Sequence, residues 1–415
     1  MTQRTLLFIN GLVAALLLAS CGGGAPKTTA APEASDEFNL DEALAREFDP
    51  LPQVPVSHPD QSWQAMVEGR TDPQYQQGEN FHGFAIDIGT SQPLMCFVFD
   101  SKIDPATSAA TYMQTSDVPL QIKRVDTAVH VVNGNPAFLA YGLYLVEQED
   151  TKIAGLIKIA TAVYAQNAAL CLHDEFGYME TFERIALQFF AGLNFAEAPP
   201  APDYNDIHVI GIQGNPVGFM QQQRRCKDDK TCMSYNQTSM LLVADGGAML
   251  PIETLLMATT DKSDIITELV TVGGYGNEVH TQLKLTRDKG NRYNYTGTKD
   301  GIEIEGTLQS QAPNGLIGDR SWRRQLAQLV AAKQDTAVPH ESFQPSGDGS
   351  GAPDITVINY QLRFTDDGPV LEETGPDGTT ASLLDEHGYD QATHIALENG
   401  LIVQTTRVHL SGAQP

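Results

Sequence analysis

The chain has 415 residues, with 26 Lys plus Arg against 52 Asp plus Glu and a formal charge of −26 at pH 7. A surface this acidic repels nucleic acid phosphates and anionic headgroups, which excludes nucleic acid as a partner. The length suits two or three domains, each large enough to bury a core.

The first stretch is a leader. Arg4 gives a short positive start, and Leu6 to Leu18 is an apolar run broken only by Asn10 and Gly11, too short for a comfortable membrane span. It ends in Leu18-Ala19-Ser20-Cys21: hydrophobic, small, small, cysteine. This quartet resembles the lipobox of bacterial lipoproteins, and the resemblance covers residues 1–21 only. It implies cleavage before Cys21, leaving 1–20 as the signal peptide, and a diacylglyceryl group on the Cys21 thiol. The implied partner is a membrane, reached through the acyl anchor. Each buried methylene adds about 0.8 kcal/mol, so acyl chains can hold a soluble body at a bilayer that it need not touch itself. Gly22 stands where, in that family, an Asp often marks retention in the inner membrane, which implies the outer membrane. Residues 21–35 follow as a tether, because Gly, Ala, Pro, Thr and Ser cannot bury enough apolar surface to order themselves.

Residues 36–76 are acidic and punctuated by proline. Leu40, Ala43, Leu44 and Phe48 recur at helical spacing, with Asp36 as cap, and predict a short amphipathic helix. Pro50, Pro52 and Pro55 end it, and the chain is expected to run extended over the surface to Gln76.

Residues 77–195 read as a first α+β unit. Phe84, Ile86 and Ile88 alternate as in a strand, residues 94–99 form an apolar run containing Cys96, and Asp104-Pro105 opens a helix that reaches Gln114. Strands at 128–132 and 138–146 flank the turn Asn133-Gly134-Asn135-Pro136, and further strands lie at 152–164 and 168–172. A helix at 178–193 puts Phe182, Ile185, Ala186, Phe189 and Phe190 on one face.

After the linker 196–202, residues 203–335 read as a second α+β unit. Its segment 206–216 (DIHVIGIQGNP) parallels 126–136 (DTAVHVVNGNP): each sets a His in a β-rich run and finishes on Gly-Asn-Pro. The match suggests an internal duplication of a strand-helix-hairpin unit, with shared turn chemistry as the competing explanation. Strands at 240–244, 265–272, 278–286, 292–297 and 302–308, joined by turns such as Lys289-Gly290-Asn291 and Lys299-Asp300-Gly301, predict a meander. A helix at 321–333 sets Trp322, Leu326 and Leu329 against it. Residues 336–353, rich in Pro, Gly and Ser, read as a loop or boundary, and 354–415 return to strands with a hairpin at Asn399-Gly400. The fold class is α+β, mostly antiparallel sheets with a few packed helices.

Besides Cys21 the chain holds Cys96, Cys171, Cys226 and Cys232, an even number that in an exported protein predicts two disulfides. Cys226 with Cys232 is expected because the polar turn between them brings the ends together. Such a short loop contributes about 2 kcal/mol by chain entropy, and a Cys96 to Cys171 bond about 4 to 5 kcal/mol.

His173, Asp174 and Glu175 place a base and two acids beside Cys171. Consecutive strand residues point to opposite faces, so Asp174 and Glu175 are expected instead at the positive end of the helix beginning near Tyr178. His130 and His208 read as packed or hydrogen-bonded residues rather than ligands. The spacing of Cys226 and Cys232 does not suit a zinc knuckle, and Asp366-Asp367-Gly368 and Asp377-Gly378 lack the ligand pattern of a calcium loop. Gly273-Gly274-Tyr275-Gly276 is followed by Glu278, which would repel phosphate. No metal or cofactor is expected. The nucleophile elbow, Walker loop, His-Glu-x-x-His and dinucleotide fingerprint are all absent, so catalytic residues stay unassigned.

One stretch breaks the acidic pattern. Arg224, Arg225, Lys227 and Lys230 gather within residues 221–230, a basic knob expected to meet an acidic partner from a disulfide-closed hairpin. The expectation is an exported, acyl-anchored binding or assembly module of the cell envelope, facing a protein or an envelope polymer. The alternative is an exported hydrolase with a loop-built active site, in which two or more of His130, His173, His208, Asp174 and Glu175 would converge on a pocket.

Overall fold

Alternating apolar side chains build three antiparallel sheets in the computed structural model, which describes residues 40–114, 121–148, 151–198, 200–227, 230–244, 247–276, 278–345, 352–375, 378–397 and 400–412. The leader, Cys21, the tether and Asp36 lie outside the described residues, as do Asp377 and Asn399.

The elements open with α1 (Leu40–Leu44), β1 (Gln53–Ser57), β2 (Trp63–Glu68), β3 (Gln74–Gln77), β4 (Phe81–Ile86) and β5 (Leu94–Phe99). Next come α2 (Pro105–Gln114), β6 (Gln121–Val132), β7 (Asn135–Gln148), β8 (Thr151–Val163), β9 (Ala168–Asp174), α3 (Met179–Gly192) and β10 (Asn194–Phe195). A meander follows: β11 (Tyr204–Ile212), β12 (Asn215–Cys226), β13 (Cys232–Val243), β14 (Met249–Thr260), β15 (Ile266–Tyr275), β16 (Glu278–Arg287), β17 (Arg292–Lys299) and β18 (Ile302–Gln309). After α4 (Asp319–Ala332) a second meander runs through β19 (Thr336–Gln344), β20 (Asp354–Thr365), β21 (Gly368–Gly375), β22 (Gly378–Leu384), β23 (Asp390–Leu397) and β24 (Ile402–Gly412). Strand accounts for 61% of the described structure, so the described residues are mostly antiparallel β with four short helices, as the expected dominance of antiparallel sheet implies.

The chain divides into two compact units, and the division interleaves: residues 127–136 group with the second unit and 243–249 with the first. In the first unit, a seven-stranded sheet runs in the order β3-β4-β5-β9-β8-β7-β6, and a small sheet in the order β1-β2-β10. The apolar face of α3 is fully buried at Phe182, Ile185, Ala186, Phe189 and Phe190, as its periodicity predicts. Phe189 meets Phe84 of β4 edge to face at 5.2 Å. Each such side chain contributes about 1.5 to 3 kcal/mol by leaving water.

Residues 50–76 do not trail over the surface. Val56, Trp63 and Val67 are buried and β1 pairs with β2, because alternation within QVPVS and WQAMVE outweighs the surrounding prolines. The N-terminus of α3 is also capped differently from expectation. Glu47 accepts the backbone N–H of Glu180 (3.0 Å) and Thr181 (2.7 Å), so the segment after α1 supplies the carboxylate that Asp174 and Glu175 were expected to provide.

In the second unit, one sheet holds fourteen strands in the order β18-β17-β16-β15-β14-β13-β12-β11-β24-β23-β22-β21-β20-β19. Two consecutive meanders join where β24 pairs with β11. The sheet curls, since Leu269, Leu283, Leu285 and Tyr293 from one end share a core with Phe343 and Ile355 from the other. The expected boundary at 336–353 therefore yields β19 in its first half, with Val338 and Phe343 buried. The C-terminal strands belong to the same sheet as residues 203–335. Proline 339 is tolerated because β19 is an edge strand.

The two Gly-Asn-Pro turns share their geometry. Asn133 and Gly134 have φ of 51° and 74°, Gln213 and Gly214 of 51° and 84°, the successive positive values of a two-residue hairpin. Their settings differ: β6 ends the seven-stranded sheet, whereas β11 lies inside the fourteen-stranded one.

Both disulfides form between facing residues of neighbouring antiparallel strands, Cys96 with Cys171 across β5 and β9 and Cys226 with Cys232 across β12 and β13. The first closes a separation of 75 residues and the second of 6. Replacing Cys96 and Cys171 together by Ser is expected to cost about 4 kcal/mol in urea denaturation, and the Cys226/Cys232 pair about 2 kcal/mol. Equal losses for the two pairs would contradict the loop-length argument.

Candidate functional site

The β12 and β13 hairpin presents one polar face. Gln222 lies opposite Asn236 and Arg224 opposite Ser234, and alternation puts all four side chains on the same side. That face is one wall of a cavity of about 220 Å³ within the second unit. Leu256, Ile266, Leu269, Leu316, Trp322 and Phe343 supply apolar lining, and His340, Glu341 and Asp319 complete the polar part.

The helix α4 starts at this cavity. Gly318 precedes it without a side-chain cap, and Asp264 fills the role: its Oδ2 accepts the Ser321 N–H at 2.6 Å and its backbone carbonyl that of Gly318 at 2.7 Å. The apolar side of α4, formed by Trp322, Leu326 and Val330, packs on Val338, Leu362, Leu371 and Leu384. Gly388 presses on the helix at φ 78°, where a β-carbon would come within 2.7 Å of Leu326 Cβ and 2.9 Å of the Ala327 backbone nitrogen.

Charged side chains lock this arrangement from within. Arg323, buried on α4, reaches Asp319 Oδ1 at 3.2 Å and Asp390 Oδ2 at 3.0 Å, donates to the Gly388 carbonyl at 3.0 Å and lies over the Tyr389 ring. Tyr389 stacks on Tyr204 with centroids 4.8 Å apart, and Arg224 lies over Tyr204 with its Nη1 3.4 Å from Asp319 Oδ2. Tyr204 donates to Asp206 Oδ2 at 2.8 Å. The other oxygen of Asp206 is 3.2 Å from His208 Nε2 and 3.3 Å from Arg407 Nε, within ion-pairing reach but not aligned for a hydrogen bond. Glu341 accepts from the Ser310 hydroxyl and from the backbone N–H groups of Gln311 and Ala312.

Arg224 is therefore not part of an exposed knob. It is 4% exposed and points inward, because strand alternation assigns it to the face of Gln222 rather than of its neighbour. Arg225 is half-buried, and only Lys227 and Lys230 are exposed at the hairpin end, whose residues 228–229 lie outside the described set. His208 pairs with Asp206 as a buried residue, while His130 is half-buried on β6.

His173, Asp174 and Glu175 lie in the first unit around Lys158, the cross-strand partner of His173. Lys158 donates to the carbonyls of Leu156 and Glu175, and burial lowers its pKa to about 8 against the pull of Asp174 and Glu175. Tyr144 donates to Asp174, and the Glu175 carboxylate accepts from Ser91 N, Ser91 Oγ and Gln92 N, holding that loop to the end of β9. His173 faces Thr90 Oγ1 at 3.2 Å. These groups are not among the residues that line the cavity, and His130 belongs to the second unit. Among the described residues no group of three or more His, Cys, Asp or Glu gathers as metal ligands.

Sequence reading missed Tyr204, Asn236, Asp319, Arg323, His340 and Glu341. The one signal available was the i, i+4 pair of Asp319 and Arg323 on a helix, which reads equally well as a solvated ion pair.

No known family matches the chain, and neither does any curated protein. Among solved structures it is similar to a β-barrel-like protein of a domain of unknown function from Brucella abortus. The TM-score is 0.38 and the identity 11%, over 52% of this chain and 100% of that one.

Removing the Arg323 guanidinium leaves Asp390 without its cation and Asp319 with Arg224 alone, so Arg323→Met is expected to cost about 3 kcal/mol in urea denaturation, and Arg225→Glu less than about 0.5 kcal/mol. The His173 imidazole is held down to about 3, by burial and then by Lys158. The unfolded chain takes up that proton near the ordinary value of 6.5 and the folded chain only near 3, so His173 withdraws stability as pH falls across that window. His173→Gln should flatten the dependence of the urea midpoint between pH 7 and about 4 relative to the unaltered protein. Parallel curves for the two proteins would refute it.

Proposed function

We propose that this protein is an exported, acyl-anchored binding module of the bacterial cell envelope that takes a small ligand into the cavity of its second unit. The observation that carries the reading is the cavity itself, apolar on one side and amide-bearing on the other, set in a rigid β scaffold. Two disulfides support an oxidising location outside the cytoplasm, and the Leu18-Ala19-Ser20-Cys21 quartet supports acylation at Cys21. By the same resemblance Gly22 favours the outer membrane. The protein or envelope-polymer partner narrows to what the cavity can admit, a small molecule or the end of a polymer chain. Matched Gly-Asn-Pro turns, each with a helix and a cysteine strand ahead, are what support a duplicated unit in the chain's history.

Native mass spectrometry of the full chain released from envelopes in mild detergent tests this reading. A mature start at Cys21 carrying acyl chains, together with a dissociable small-molecule adduct, is the expected result. Cys21→Ala should abolish the acylated form and leave the adduct in place. An unacylated start in the membrane fraction would overturn the anchor, and an adduct-free protein the binding role.

A further inference from the structure

Each charge around the cavity is engaged before any ligand arrives. Arg224 is matched by Asp319, Asp319 is shared with Arg323, and Glu341 is saturated by the Ser310 hydroxyl and two backbone N–H groups. An anionic ligand would meet Asp319 and Glu341, and a cationic one would meet Arg224; to find a partner, each would have to take one from the Arg224–Asp319 pair or displace the hydrogen bonds that hold Glu341. The groups left to recognise a ligand are neutral: the amides of Gln222 and Asn236, the hydroxyls of Ser234 and Ser342, the indole of Trp322 and the imidazole of His340. Burial, followed by the nearby Arg323, lowers the His340 pKa to about 4, so that ring is uncharged at neutral pH. Trp322 and His340 are stacked, centroids 4.1 Å apart and 25° from parallel. Asn236 Oδ1 and His340 Nδ1 are buried with no hydrogen-bond partner among the described residues. Buried polar atoms left unmet are costly, and both of these belong to residues of the lining.

Resting on the reading of this cavity as a binding site, we infer that its ligand is a neutral sugar ring: uncharged, dense in hydroxyl groups, and with an apolar face. Hydroxyls satisfy amide and imidazole groups as donor or acceptor without regard to orientation. The apolar C–H face of such a ring suits the lining that Leu256, Leu316 and Trp322 provide. The cavity volume of about 220 Å³ lies below the range of drug-sized sites, which suits one ring rather than a long chain.

The chain has two tryptophans, Trp63 in the first unit and Trp322 in the cavity wall, so a Trp63→Phe variant reports from the cavity alone. The test titrates it with N-acetyl-D-glucosamine and D-glucose, and in parallel arms with a neutral blocked dipeptide and with hexanoate. Calorimetry on the unaltered full chain repeats each arm, so a misfolded variant cannot decide the outcome. Expected is a saturable shift in Trp322 emission with at least one sugar, weakened about tenfold by Asn236→Leu, with Gln222→Leu as a second variant should the first lose its native circular dichroism. Sugar binding untouched by both variants would overturn the assignment to this wall. A response to the dipeptide or hexanoate alone would overturn the sugar class and leave the cavity as a binding site. Silence in every arm, by emission and by heat, would overturn both.

Discussion

Arg323 sits on the buried side of a helix, where a charge is tolerated only if its surroundings meet it on every side. Asp319 one turn earlier, Asp390 at the start of β23, the Gly388 carbonyl and the Tyr389 ring do so together. These partners come from two separate stretches of chain, so the guanidinium fixes the helix against the β22–β23 turn in one register. The ion set specifies an arrangement more than it adds net stability.

The cavity is a consequence of that seating. The first turn of α4 carries Asp319 and Trp322 into its wall, and Asp264 holds the turn at its backbone N–H groups. Arg224 reaches the same Asp319 from β12, so the wall and the helix share one carboxylate. The result is a cavity whose charged groups are already partnered, in a protein that carries −26 as a whole. Global acidity describes the surface and says little about this interior.

The first unit uses the same logic with different residues. Buried Glu68 binds Arg184 of α3 and the backbone of Leu51, while Glu47 caps the helix start, so two carboxylates seat α3 on β2 and on the segment after α1. The chain through residues 45–68 is thus drawn into the core that the prolines seemed to deny it. Lys158 of β8 donates to the Glu175 carbonyl just past β9, while His173 and the Glu175 carboxylate hold the loop carrying Thr90 and Ser91.

Much of the local structure was legible in the residues. The helical periodicity of Phe182 to Phe190, the turns at Asn133-Gly134, Lys289-Gly290-Asn291 and Asp300-Gly301, and the pairing of Cys226 with Cys232 each depend on neighbours within a few positions. Short-range sterics, hydrogen bonding and loop entropy decide such features, and those are written in consecutive residues. Arg224, in contrast, reads as the first member of a basic cluster, and its partner Asp319 lies 95 residues away. Which face of β12 turns inward, that β19 joins the sheet of β11, and that Asn236 and His340 share a cavity were settled only when the strands paired. Burial is a property of the assembled sheet, and a charged side chain carries no local mark of whether a distant carboxylate will meet it.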